Sequence, residues 1–114
     1  MSDLELCYLP ATEAIAQFQA KTLSPVELLD ALIKRAEEVE SIINAFTYRH
    51  FDEAMAYARK AEAKYVSGKR TRALEGLPIG IKDENFIKGK PTSSGSLIMK
   101  DFVADRTSVG NERI

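Results

Sequence analysis

Between Gly76 and Asp83 the chain carries Leu77-Pro78-Ile79-Gly80-Ile81-Lys82, a short apolar run opened by a glycine turn and closed by a lysine and an aspartate. A run this short, bounded this way, suits a buried strand, with Pro78 tolerated near its start. Side chains alternate along a strand, so Ile79 and Ile81 share one face and Gly80 and Lys82 share the other. Gly80 leaves open space beside Lys82. Asp83 points to the opposite side, so an ion pair between the two is not required.

That placement matters for chemistry. A lysine is a base only when neutral. An ordinary lysine, with a pKa of about 10.4, is neutral roughly once in 10³ molecules at pH 7. Bringing such a group to about 7–8 takes burial or a neighbouring like charge. A lysine leaving a buried strand into a cleft of small residues is a candidate for that treatment. The plain alternative stays open: a lysine that reaches solvent or pairs with a carboxylate.

The chain before this run reads as helical. A first helix is expected from about Ala11 to Lys21, with Thr12 as N-cap and Ala11, Ala14, Ile15 and Phe18 on one face. Ser24-Pro25-Val26-Glu27 has the form of a capping box with proline at the first helical position. Leu29, Leu32, Ile33, Ala36 and Val39 then make an apolar stripe, with Asp30, Lys34, Arg35, Glu37 and Glu38 on the solvated side. Ala45-Phe46-Thr47-Tyr48-Arg49 is rich in aromatic and β-branched residues and suggests a strand. A third helix is expected from about Asp52 to Ser67, capped by Asp52. It has a narrow face of Met55, Ala58, Ala61 and Tyr65, and Gly68 stands where a helix stop belongs. Thr107-Ser108 opens one more short helix.

Other candidate groups are few. His50 is the single histidine and Cys7 the single cysteine, so this chain cannot assemble a zinc-type cluster from them or form an internal disulfide. Cys7 lacks a local base that would activate it, and His50 reads as a polar residue between two elements. Lys69-Arg70-Thr71-Arg72 reads as a solvated basic turn. The 114 residues are 45% hydrophobic and 29% charged with a net charge of −1, which fits one soluble domain. That balance favours neither nucleic acid nor an anionic membrane as partner. No apolar run approaches the ~20 residues needed to cross a bilayer, and no signal peptide opens the chain. One cysteine fits a cytoplasmic setting.

Taken together, Gly76-Leu77-Pro78-Ile79-Gly80-Ile81-Lys82-Asp83, Lys88-Gly89, Thr92, Gly95-Ser96 and Phe102-Val103-Ala104-Asp105-x-Thr107 resemble the amidase signature family. That family includes the aminoacyl-tRNA amidotransferase A subunits. Ser24-Pro25-Val26-Glu27-Leu28 and Ile43-Asn44-Ala45-Phe46 are similar to its N-terminal region, less specifically. The resemblance implies a Ser–cis-Ser–Lys catalytic triad in which Lys82 is the base. In the family it acts through a serine on a cis peptide bond to activate a nucleophilic serine, which attacks an amide carbonyl and forms an acyl-enzyme. The Gly/Ser-rich segment that carries both serines is absent here. Ser93, Ser94 and Ser96 match the Thr-x-x-Gly-Ser stretch after the lysine and read as a polar loop and capping residues, not as nucleophiles.

The resemblance therefore implies an α/β fold: N-terminal helices followed by the first strands of a mixed sheet. Residues 1–72 would be a mainly helical subregion and 73–114 the start of the catalytic core, together the N-terminal portion of one larger amidase domain. Such a piece alone would be inactive. The parent would cleave a small-molecule amide without metal or organic cofactor, since serine and lysine carry the acyl transfer. Two alternatives stand beside this. One is an interaction module that completes its sheet by oligomerising or by associating with the rest of the fold. The other is the amidotransferase branch of the family.

Overall fold

The computed structural model describes residues 1–114 and contains five helices: α1 (Asp3–Cys7), α2 (Ala11–Ala20), α3 (Pro25–Ile43), α4 (Phe51–Ser67) and α5 (Val109–Arg113). A single 3₁₀ turn covers Leu97–Met99. The chain divides into two compact units, Met1–Pro78 and Ile79–Ile114.

The first unit is a helical cluster. Helix α3 packs against both α1 and α4, and α2 packs against α4. Its core joins Leu6, Ala14, Phe18, Leu23, Leu28, Ala31 and Tyr65, with Leu9, Leu32 and Leu77 packed against them. The Phe18 and Tyr65 rings meet at 5.7 Å. Burying a side chain such as Phe18 contributes about 2–3 kcal/mol. Helix α4 buries Ala58, Ala61 and Tyr65, three of the four residues of its expected face, and Met55 is half-buried. On α3, Leu29 is buried and Leu32, Ile33, Ala36 and Val39 are half-buried. Leu28, Ala31 and Glu40 are buried as well, because neighbours on two sides cover more of α3 than one stripe.

The helix ends differ from expectation in instructive ways. Ser24 caps α3, but its Oγ accepts from the Val26 amide at 3.0 Å and donates to Glu62 of α4. Glu27 stays exposed. The hydroxyl thus joins two helices, where a capping box would have used Glu27 locally. A complete capping box forms instead at α1: Ser2 Oγ accepts from the Glu5 amide, and the Ser2 N–H donates to Glu5 Oε2. These bonds hold the Glu5 carboxyl below its usual range. Helices α2 and α4 have Pro10 and His50 at the N-cap position with no side-chain cap, so Thr12 and Asp52 lie within first turns. Gly68 ends α4 with φ +72°, as its position predicted.

No strand forms, and the α/β expectation is corrected to a helical architecture with connecting loops. The two segments read as strands explain why. Asn44 takes the left-handed conformation at φ +50° and ends α3. The Phe46 amide then donates to the buried Glu40 carboxylate at 2.9 Å, so a side chain occupies a group that a sheet would use. Residues 77–82 gain no partner strand, and Ile79 and Ile81 are 45% and 41% exposed. Residue type favours an extended backbone, but a ladder needs a neighbour.

The second unit is held by a short antiparallel contact, the bridge Pro91–Val103. Three backbone bonds surround it: Gly89 N–H to Ala104 O, Ala104 N–H to Lys90 O, and Thr92 N–H to Phe102 O. Thr92 and Ala104 are buried there, and the Phe86 and Phe102 rings lie 5.5 Å apart. The N-terminal end of α5 is tied back to Phe86, whose amide donates to Ser108 Oγ and whose carbonyl accepts from Ser108 N–H and Asn111 Nδ2.

Candidate active site

Lys82 lies at the start of a turn in the second unit. Its carbonyl accepts from the amides of Glu84 at 2.7 Å and Asn85 at 3.0 Å. The side chain is 76% exposed, and its Nζ pairs with Glu84 Oε1 at 3.2 Å. The buried strand expected to shield this lysine is therefore not formed within residues 1–114. The backbone at Lys82 is held while the ammonium stands in water, where such a pair is worth about 0–1 kcal/mol.

The neighbouring residue is engaged differently. The Asp83 carboxylate takes both donors of Ser93: the amide at 2.8 Å through Oδ1 and the hydroxyl through Oδ2. Ser93 follows Thr92, which is buried and bonded to Phe102. Asp83 therefore ties the turn that carries Lys82 to the bridged part of the unit. The sequence reading missed this link. Nothing in the ten-residue separation of an aspartate and a serine marks it in advance.

Ser93, Ser94 and Ser96 belong to a tight turn. The Ser96 amide donates to Ser93 O at 2.9 Å, and the Gly95 amide donates to Ser93 Oγ at 3.3 Å. Ser94 and Gly95 take positive φ of +51° and +66°. Ser96 caps the 3₁₀ turn by accepting from the Ile98 amide at 3.2 Å. The Ser93 and Ser96 hydroxyls and the Ser94 backbone thus serve the loop's own geometry, and the Ser93 hydroxyl is committed to Asp83.

The remaining candidates lie in the first unit. Cys7 is half-buried, its Sγ contacts Ala31 O at 3.6 Å, and burial pushes its thiol up. That is the opposite of an activated nucleophile. His50 stacks on Tyr48 at the start of α4. In the basic turn, the Arg72 amide donates to Glu75 Oε2 at 3.1 Å. Two open grooves lie in this unit, one beside Phe18, Ser24 and Glu62 and one beside Asp30, Arg49 and Asp52. Lys82 lines neither. No helix is long and apolar enough to cross a membrane.

Comparison with known proteins gives this arrangement a lineage. The profile of the family described as Amidase matches residues 27–114, which include Lys82, Asp83 and Ser93. The A subunit of glutamyl-tRNA(Gln) amidotransferase from Anaeromyxobacter sp. (strain K) is 36% identical over 110 residues, 96% of this chain and 22% of that protein. The protein of the same name from Chloroflexus aurantiacus is 38% identical over 98 residues, 86% of this chain and 20% of its own length. That of Gloeothece citriformis is 33% identical over 98 residues, again 86% and 20%. The chain therefore spans about a fifth of the length of these relatives. Since the family profile covers most of the sequence, this chain belongs to the amidase family.

Proposed function

We propose that this chain forms the N-terminal part of an enzyme acting on carboxylic amides, with Lys82 as its base. The observation that carries the reading is the family match across residues 27–114, which takes in Lys82 and its flanking turn. The chemistry is acyl transfer. A neutral Lys82 accepts a proton relayed through one serine from a second, nucleophilic serine. The nucleophile attacks the amide carbonyl, the amine leaves with a proton, and water or another acceptor releases the acyl group. Both serines are supplied from outside residues 1–114, so these residues alone do not turn over substrate. The long runs of similarity to amidotransferase A subunits favour that branch, in which the enzyme acts on glutamyl-tRNA(Gln) in company with other subunits. For Lys82 to act, Glu84 must release it, and an exposed pair gives way at little cost.

The test is made on the complete gene product. Lys82→Ala should lower ammonia release from small carboxamides, glutamine among them, by ~10²–10⁴-fold. Lys82→Arg should not restore it, because a guanidinium does not give up its proton. Turnover within a few-fold of the parent removes Lys82 from the mechanism. A product that shows no amide turnover but elutes as a dimer favours a second reading, a non-catalytic interaction module. The exposed Leu97 and Ile98 speak for that reading.

A further inference from the structure

We infer that Asp83 is a positioning residue: its carboxylate clamps the backbone of Lys82 to the Thr92–Ser96 turn, and so fixes where the base projects. The inference rests on the proposed role of Lys82 and goes beyond it. Three observations within residues 79–114 carry it.

First, the two residues divide their work. The Lys82 side chain is 76% exposed and makes a solvent-facing pair, so it does not locate itself by packing. Its main chain is located by two tethers on its C-terminal side instead. The Lys82 carbonyl is held by the Asn85 and Glu84 amides, and the next residue, Asp83, is half-buried. Second, the Asp83 carboxylate uses both oxygens on one residue, taking the Ser93 amide at 2.8 Å on Oδ1 and the Ser93 hydroxyl on Oδ2. Two bonds to one partner fix orientation as well as distance. Third, the partner is itself anchored. Ser93 follows Thr92, which is 2% exposed and bonded through its amide to Phe102 O at 3.1 Å. On the other side, the Ser96 amide closes the turn on Ser93 O, and the Gly95 amide on Ser93 Oγ. The clamp therefore runs from the best-buried part of the unit to the α-carbon that carries the base. A lysine side chain beyond that carbon is long and freely rotating. Its ammonium can reach one place reproducibly only if the carbon is fixed.

The experiment uses the complete gene product and measures kcat and KM separately, with thermal midpoints for every variant. Asp83→Ala should lower kcat by ~10–10²-fold, the range expected of a misplaced catalytic group, with KM within about threefold. Asp83→Asn keeps an oxygen for the Ser93 amide and offers an amide N–H to the Ser93 hydroxyl. It should recover most of the loss, although it has no charge. Ser93→Ala removes one arm of the clamp and leaves the amide arm, so its kcat should fall by a smaller factor, about 3–10-fold. If Asp83→Ala does not fold, Ser93→Ala decides: kcat within twofold of the parent at an unchanged midpoint overturns the clamp. Loss of activity in Asp83→Asn equal to that in Asp83→Ala also overturns it, because the charge and not the geometry would then be at work. Failure of the clamp is distinct from failure of the Lys82 reading. Lys82→Ala inactive with Asp83→Ala at full kcat rejects only the clamp, whereas Lys82→Ala at full turnover rejects the base.

Discussion

Gly76 is confined by its neighbours as well as by its backbone. Its φ is +85°, and a Cβ there would stand 2.8 Å from Pro25 Cγ and 3.3 Å from Ala61 Cβ. Gly76→Ala therefore combines left-handed strain with a clash against two buried residues. It should destabilise the first unit by ~2–4 kcal/mol, read as a lowered urea midpoint at unchanged slope. A loss under about 1 kcal/mol would mean that the turn moves aside freely. The glycine was legible in the sequence as a turn, but its approach to Pro25, far back in the chain, was not. Lys82 shows the same division. Its type, its place at the end of an apolar run and its aspartate neighbour could be read directly. Its exposure and its pairing with Glu84 depend on what surrounds it, and a side chain's surroundings are a property of the folded chain.

Helices were the legible elements, because their signals are local. Ser24-Pro25 begins α3 and Gly68 ends α4, each within one turn of sequence. Helix α1 escaped notice because five residues carry almost no periodicity, and its capping box was the available sign. The strand readings at 45–49 and 77–82 failed for a nonlocal reason: the backbone groups of a strand are satisfied by another segment, which residue types do not name. At this scale the end of α4 gives a pH prediction. Lys64 Nζ pairs with Glu75 Oε1 at 2.8 Å, and the Tyr65 hydroxyl donates to Glu75 O at 2.9 Å, so the helix is latched to the following turn. The Lys64 hydrogen bond, with the Arg72 amide, holds the Glu75 carboxyl below its ordinary value of 4.5. A lowered carboxylate pKa contributes stability that is complete above the unfolded value and is lost as pH falls through the folded one. Stability of the first unit should therefore decline as pH falls below about 4.5. Lys64→Met should flatten that decline and cost about 0.5–1 kcal/mol at pH 7, given the partial exposure of the lysine. Equal acid sensitivity in parent and variant, measured by denaturation at a series of pH values, would count against the latch.

Across the whole molecule, burial is uneven. Ten of the eleven buried hydrophobic residues lie in residues 1–78, and only Ala104 lies in 79–114. Hydrogen exchange should follow this, with amides in the middle of α3 and α4 slowest and those of Ile79–Lys82 among the fastest. Protection of Ile79–Lys82 equal to that of α3 would show that this segment is paired in solution. Leu97 and Ile98, 87% and 93% exposed, add to the apolar surface that the second unit leaves in water. The bridge between Pro91 and Val103 gives this unit a sidedness of its own. The bonds from Thr92 and Ala104 on either side of the bridge direct the backbone groups of Pro91 and Val103 outward, on opposite edges. Proline has no N–H, so the outer side of Pro91 has no donor there for another chain. Val103 keeps both its donor and its acceptor. The ribbon's two edges are thus unequal: at the bridge the proline edge offers an acceptor without a donor, and the Val103 edge offers both.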